Sequence, residues 1–490
     1  MTEQIISRDP MTDDVVATVP AMTAAEVDAA VEVARSAADW WRGLGHTGRR
    51  ARLIAWRRRM AGDADELVDL LHRENGKPRA DAALELLLSL EHITWTAANA
   101  RSVLRTECRR PGVLTLNFGA SVDRVPMGVV GVIGPWNYPL YTPNGSVATA
   151  LAAGNVVVLK PSEHTPAVAR WYVDAFAAAN PDAPPGVLTL VTGGPETGAA
   201  LCRARIDKLA FTGSTATGRK VMATCAETPI PVVLELGGKD AAIVAADADL
   251  GAAADAIAFG AMGNAGQTCV GIERVYVERA VRDRFLVELG RALQGVRPGN
   301  GPTDSYGPMT MRGQIDVVHR HVTAAVDGGA RFVVGGVGSI GERTIAPIVV
   351  LDPPHSSVAV QEETFGPTLT VTTVESVDEA VRLANDVRYG LAGSVFARRR
   401  RAVAIARRLD TGQVSVNSVL GFAAVPSLPL GGRGDSGFGR IHGPEGLREF
   451  TRPRAIAVQR FPIPGVPLLR LRRPAWLVRA LPRIIRLLHG

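Results

Sequence analysis

VVGVIGPWNYPLYTPNGSVATALAAGNVVVLKP, residues 129–161, decides the fold class. Two Val-rich runs, VVGVIG and NVVVLK, flank a stretch whose residues 144–153 have helical composition. Strand, crossover helix and strand make a βαβ unit, which sets its two strands parallel. Neither run alternates with polar residues, so both are expected to be buried on two faces. The pattern continues downstream with a helix over 166–179, VLTLVTG, a helix over 195–203, KLAFTGS and a helix over 215–226. The class is therefore α/β, a parallel sheet with helices on both faces.

A second alternation follows: AAIVAA, a helix over 250–262, ERVYVE, a helix near 280–295, FVVGG, IAPIVVL, TLTVTTV, a helix over 377–386, SVFA, a helix over 401–408 and QVSVN. It predicts a second α/β domain, entered near Gly237-Gly238. Upstream, 24–60 reads as one helix and 64–105 as helical segments broken at Asn75-Gly76-Lys77-Pro78. After Cys108, GVLTLNF and VDRVPMGVVGVIG read as β.

With 490 residues, 46% apolar and 21% charged, the chain has the composition of a multi-domain globular protein, not a disordered one. No apolar run reaches the ~18–20 residues of a spanning helix. The first residues carry acids where a signal peptide needs bases, so the expected address is the cytoplasm. The four cysteines (Cys108, Cys202, Cys225, Cys269) form no CxxC pair and no disulfide framework. His319 and His321 sit two apart on a helix and face different sides, and the other histidines stand alone, so no metal site is expected.

The net charge of +7 is uneven: residues 461–490 hold six Arg and no Lys, Asp or Glu, leaving +1 for the rest. The basic character belongs to a tail, and nucleic-acid binding is not expected. On a helix, Leu477, Leu481, Ile484 and Leu488 share one stripe and Arg479, Arg483 and Arg486 another; Pro482 counts against that helix. Two readings are open for 475–488: peripheral contact with an anionic membrane, or packing on a neighbouring subunit.

Cys269, in NAGQTCVGIERVYV, is the best nucleophile candidate, because a Gly-rich turn between helix and strand can present a thiol to a cleft. Glu235 ends a strand in LELGGK, where α/β proteins place ligands, and the two glycines after it would let the carboxyl swing; a surface carboxylate is the alternative. Asn137, between Pro135 and Pro139, is either a rigid oxyanion donor or a turn former. Glu163, after the strand ending at Lys160, is placed to accept ribose hydroxyls and repel a 2′-phosphate, favouring NAD over NADP. Gly213-Ser214 at a helix start suits a pyrophosphate, while Arg219 and Val221 break the Walker A pattern. Glu362, Glu363 and Phe365 precede a β-run, where they either bracket a ribose and a ring or are surface acids.

PWNYP, LKPSE, FTGST, LELGGK, GQTC, EETFGP and GGRGDSGFGR, in this order, resemble the aldehyde dehydrogenase superfamily, of the NAD(P)-dependent, hydrolytic type, over about residues 10–460. The resemblance implies a Rossmann-like cofactor domain (1–108 and 126–236), a second α/β catalytic domain (237–430) and a small β oligomerisation extension (109–125 and 453–461), followed by a basic tail (462–490). It implies Cys269 as nucleophile, Glu235 as general base, and Asn137 with the Cys269 backbone N–H as oxyanion hole. It gives Lys160, Glu163, Gly213, Ser214, Glu363, Phe365 and Trp136 to the dinucleotide, and a homodimer or homotetramer as the assembly. An aldehyde would pass through a thiohemiacetal and a thioester to a carboxylic acid. Handing the acyl group to coenzyme A is the alternative, which would not need Glu235. One departure stands out: where the family usually has Lys after the late Gly-Gly, this chain has Gly434.

The closing GRIHGPEGLREFT resembles a bacterial subgroup that includes semialdehyde dehydrogenases. Around the expected tunnel stand Tyr138, Leu140, Tyr141, Val270 and Val419–Phe422, and no Arg follows PWNYP until Arg170. A hydrophobic or aromatic aldehyde is expected over succinate semialdehyde.

Overall fold

The computed structural model describes residues 3–112, 115–301, 303–461 and 471–489. The opening stretch folds as its pattern requires. Val129–Ile133 and Val156–Lys160 are parallel neighbours, buried at every residue, and helix Tyr141–Ala153 crosses between them. Leu188–Leu190 extends the sheet beyond Val156–Lys160. The chain then reverses direction across the sheet. Lys208–Thr212 pairs with the other side of Val129–Ile133, and Val232–Glu235 lies beyond it. A ligand crevice forms at such a switch point, outside the carboxyl ends of the strands.

After Glu235 the chain enters a seven-stranded sheet, ordered Arg331–Val334, Ile348–Leu351, Thr368–Val374, Ile272–Glu278, Asp240–Val244, Ala392–Phe396 and Gln413–Val416. Only its first pair is antiparallel. The chain later returns: Gly437–Phe438 pairs antiparallel with Val232–Glu235 and closes the first sheet at six strands. Both sheets lie in one compact unit, formed by residues up to Val103 and Pro126–Thr451.

A second unit holds Leu104–Val125 and the residues from Arg452 on. There Glu107–Arg109, Phe118–Pro126 and Thr451–Gln459 form a three-stranded sheet, the first two antiparallel, so the strands expected over 109–125 and 453–461 are two shorter strands and a third ending at Gln459. Within GVLTLNF, residues 115–117 turn instead of extending, and Val113 and Leu114 lie outside the described residues. So do residues 462–470, the first part of the expected tail.

The expectation of one helix over 24–60 needs correction. The segment splits at Leu44 into Ala24–Gly43 and Gly45–Gly62, because Gly45 takes a left-handed φ of 63°. Trp41 and Trp56 fix these helices to the unit, their indole N–H groups donating to the carbonyls of Leu151 (2.9 Å) and Tyr172 (3.2 Å).

Candidate active site

Four of the loops singled out in the sequence leave the carboxyl ends of parallel strands in the six-stranded sheet. Gly134–Asn137 follows Ile133, Pro161–Glu163 follows Lys160, Gly213-Ser214 follows Thr212, and Leu236–Gly238 follows Glu235. Together with Cys269, Glu363 and Phe365 they line one cavity of about 780 Å³. That volume is within the roughly 300–1,000 Å³ of small-molecule and cofactor sites. Asn137, Trp136, Lys160, Glu163, Gly213, Ser214, Cys269, Glu363 and Phe365 are all brought to this cavity, and Glu235 is not among the residues that line it.

Cys269 follows an unusual turn. Asn264 and Ala265 have φ of 53° and 56°, and Gly266 continues the left-handed run at 71°. Asn tolerates this region and Ala rarely adopts it, so the turn stores strain. Asn264 Nδ2 holds the turn in place by donating to the Asn137 carbonyl at 3.0 Å. The half-buried Cys269 thiol is pushed up to about 12, by burial first and then by the nearby Glu363, Asp240 and Glu235 carboxyls. The resting group is therefore a thiol.

Asn137 is buried, and its Nδ2 donates to the Gln267 carbonyl at 2.9 Å. An amide nitrogen carries two N–H donors, so one remains for another acceptor. Trp136 and Phe365 meet edge to face, with centroids 5.5 Å apart.

Two buried ion pairs that the sequence reading missed hold the loops bearing these groups. Lys77 pairs with Glu85, both side chains fully covered, and Lys77 Nζ also donates to the Asn137 carbonyl at 2.9 Å. Glu85 Oε1 accepts the backbone N–H groups of Leu140 (2.9 Å) and Tyr141 (3.0 Å). Across the site Lys239 pairs with Glu273, whose carboxylate accepts the N–H groups of Thr364 and Phe365, each at 2.8 Å. Burial lowers Lys239, and Glu273 opposes that shift.

Glu235 is buried, and neither carboxylate oxygen has a hydrogen-bond partner. Burial holds its carboxyl well above the usual range; Arg440 works against the shift and Glu449 with it. The glycines beside it serve close approach. A Cβ on Gly237 would collide with the Glu363 carboxyl, and Glu363 Oε1 accepts the Gly238 N–H at 2.9 Å. Burial pushes Glu363 up to about 8.

The residues fit a dinucleotide. Half-buried Glu163 stands 3.7 Å from buried Lys160, and both line the same cavity as Glu363 and Phe365. Ser214 is exposed and caps helix Thr215–Glu227 by accepting the Thr217 N–H at 3.2 Å, so its hydroxyl is already engaged. Arg219 is drawn away to Asp435 at 3.0 Å. Gly434 has a φ of 59° and would set a Cβ 2.7 Å from the Arg388 carbonyl, so this loop is built for glycine where the family pattern has lysine.

The histidines divide. His321 is buried and His319 exposed, on opposite sides of helix Gly313–Asp327 as expected. His92 and His442 do not stand alone: their rings meet tilted at 38° with centroids 4.2 Å apart, and burial lowers His442 to about 4. No group of metal-ligating side chains occurs among the described residues.

The sequence profile of the aldehyde dehydrogenase family matches residues 1–456. The chain is 40% identical over 440 residues to a 4,4'-diapolycopene aldehyde oxidase of Methylomonas sp, covering 88% of this chain and 82% of that protein. It is 35% identical over 479 residues to a Mycobacterium ulcerans protein carrying the provisional name succinate-semialdehyde dehydrogenase (NADP(+)) 2, covering 95% and 90%. The crystal structure of a Mycobacterium tuberculosis aldehyde dehydrogenase complexed with NAD+ superposes with a TM-score of 0.88 at 35% identity, covering 95% of this chain and 96% of that one. A match of this extent, over a chain whose strand-end loops line one cavity with Cys269, makes this protein a member of the aldehyde dehydrogenase family, an NAD(P)-dependent oxidoreductase.

Proposed function

We propose that the protein oxidises an apolar aldehyde to its carboxylic acid with NAD, through a covalent intermediate on Cys269. The observation that carries this reading is the one cavity lined by Cys269 together with Lys160 and Glu163. Cys269 gives its thiol proton to water, Sγ adds to the carbonyl carbon, and the new oxyanion is held by the free Asn137 N–H and the Cys269 backbone N–H. Losing one such donor typically costs about 10²–10³ in rate. When bound, the nicotinamide supplies the two-electron acceptor, held by Glu363 and Phe365 beside Trp136. The acyl group is left as a thioester on Sγ. Glu235, once ionised, takes a proton from water, the hydroxide adds to the thioester carbon, the C–S bond breaks to release the acid, and the departing sulfur takes the proton back from Glu235.

Glu163 supports NAD over NADP, because a carboxylate repels a 2′-phosphate. The surroundings of Cys269 support an apolar substrate: Leu420 and Ala423 pack with it against a buried cluster of Val270, Leu391, Ala392 and Phe422. The relatives' names divide between 4,4'-diapolycopene aldehyde and succinate semialdehyde. An assembly of two or four copies through the three-stranded sheet is part of the same proposal, as is the division into cofactor and catalytic domains.

A steady-state panel of aldehydes with NAD and NADP, with and without coenzyme A, tests the reading. Expected are NADH formation independent of coenzyme A, a preference for apolar over dicarboxylic substrates, and loss of turnover in Cys269→Ser. Near wild-type turnover in Cys269→Ser would overturn the nucleophile, and strict coenzyme A dependence would overturn the hydrolytic step.

A further inference from the structure

We propose that helix Ala475–His489 docks this protein on the surface of an anionic lipid bilayer. The helix runs unbroken through Pro482, contrary to the expectation that this proline weakens it. It contains no acid. At ~100° per residue, Arg479, Arg483 and Arg486 fall within a sector of about 60°, with Pro482 and His489 at its edge. The remaining surface is apolar. Leu477 is covered within the chain, but Trp476, Val478, Ile485 and Leu487 are 52%, 55%, 57% and 86% exposed. Of the stripe marked in the sequence, Leu477 is covered, Leu481 half-buried and Ile484 exposed, and the most open apolar side chains flank it on both sides. The Leu488 side chain lies outside the described residues.

An apolar helix face left open on a protein surface marks an interaction site. Charge selects the partner. A second copy of this helix would bring its own arginines, and residues 461–490 hold no acid to meet them. An anionic bilayer supplies both halves of the complement: phosphates for the guanidinium groups and an apolar layer for Trp476, Ile485 and Leu487. Tryptophan suits the boundary between the two. No described helix is long and apolar enough to cross a membrane, so the contact is peripheral. This inference does not rest on the catalytic reading, because none of these residues belongs to the cavity.

The experiment is co-sedimentation of the full chain with vesicles of phosphatidylcholine alone and with added phosphatidylglycerol. Pelleting is expected only with the anionic vesicles, and it weakens as salt shortens the Debye length. Arg479→Gln/Arg483→Gln/Arg486→Gln should lower the partition about 100-fold, since each arginine near such a surface contributes about fivefold. Trp476→Ser/Leu487→Ser should lower it at least ~tenfold by removing buried apolar area. Both variants should keep wild-type turnover of a short, water-soluble aldehyde, which shows that they fold. The proposal is overturned when the full chain stays in the supernatant, when neutral vesicles bind it equally, or when the arginine variant pellets like wild type. It is also overturned when the variants change the oligomeric mass and vesicle binding is nil, which makes the helix a subunit contact.

Discussion

Lys77→Met isolates the buried pair that holds the Asn137 loop. Methionine fills much of the lysine volume, so the change removes charge more than packing. It strips Glu85 of its counter-ion, the Asn137 carbonyl of a 2.9 Å donor, and the Tyr138 ring of a cation 4.1 Å from its centroid. Removing one member of a fully buried pair costs about 3–5 kcal/mol, because the survivor's charge stays desolvated. Unfolding entropy is roughly 2.1 cal/mol/K per residue, near 1 kcal/mol/K for a chain this long unfolding as one unit. The melting temperature should therefore fall by about 4 °C.

Glu85→Gln added to that variant should recover part of the loss. The glutamine keeps an oxygen for the N–H groups of Leu140 and Tyr141, removes the uncompensated charge, and offers an amide N–H near the Asn137 carbonyl. The double variant should melt within about 2 °C of wild type, a coupling of roughly 2 kcal/mol between sites in contact. Turnover adds a second readout. Loosening the loop misplaces the Asn137 amide, so kcat in Lys77→Met should fall about tenfold or more while KM changes little. Calorimetry of wild type, both single variants and the double closes the cycle. Additive losses, or a single variant that melts like wild type, would refute the reasoning.

Glu235→Gln should raise the melting temperature at pH ~8 and leave it unchanged near pH ~4. The folded-state carboxyl is raised, so the folded protein binds the extra proton and wild type loses stability as pH climbs above the unfolded value; glutamine has nothing to lose. An equal gap at both pH values would contradict this. Gly237→Ala should weaken NAD binding at least ~tenfold by calorimetric titration, because the new methyl displaces the Glu363 carboxyl. Unchanged affinity would free Glu363 of that role. With a chromogenic disulfide, exposed Cys108 should react first, Cys269 slowly and faster as pH rises toward its displaced value, and buried Cys202 and Cys225 only after unfolding. A fast phase that survives Cys108→Ser would oppose that order.

The sheets were legible because a parallel strand buried on both faces must be written as an uninterrupted Val/Ile run, as Val129–Ile133 and Val156–Lys160 are. The loops at their carboxyl ends were legible for the same reason: once the strands are placed, Asn137, Glu163 and Ser214 fall where the topology opens a crevice. The ion pairs were not. Lys77 stands in NGKP, a string that signals a break, and nothing in it marks a buried lysine whose partner lies eight residues on, inside helix Arg79–Val103. Lys239 and Glu273 come together only when their strands become neighbours. Ala265 gives no hint of a positive φ, since alanine has no preference for one.

The two ion pairs share one construction, which explains why charge is buried where apolar packing would cost less. In each, a glutamate accepts two consecutive backbone N–H groups, Leu140 and Tyr141 in one case and Thr364 and Phe365 in the other. In each, the lysine donates a further bond into the loop, to the Asn137 carbonyl or to Thr364 Oγ1 at 3.0 Å. An apolar pair of equal volume would fill the space but leave four N–H groups without acceptors, each costing about 1–3 kcal/mol. The charges are thus retained because they fix backbone N–H groups that no regular element satisfies, at the start of helix Tyr141–Ala153 and in the loop before Thr368–Val374. Those loops carry Trp136, Asn137, Glu363 and Phe365, which line one cavity with Cys269. A thiol, an amide and a ring must be held within a fraction of an ångström to act together, and side chains on free loops are not. The cost of desolvating two lysines and two glutamates is therefore the cost of preorganising both walls of one cleft.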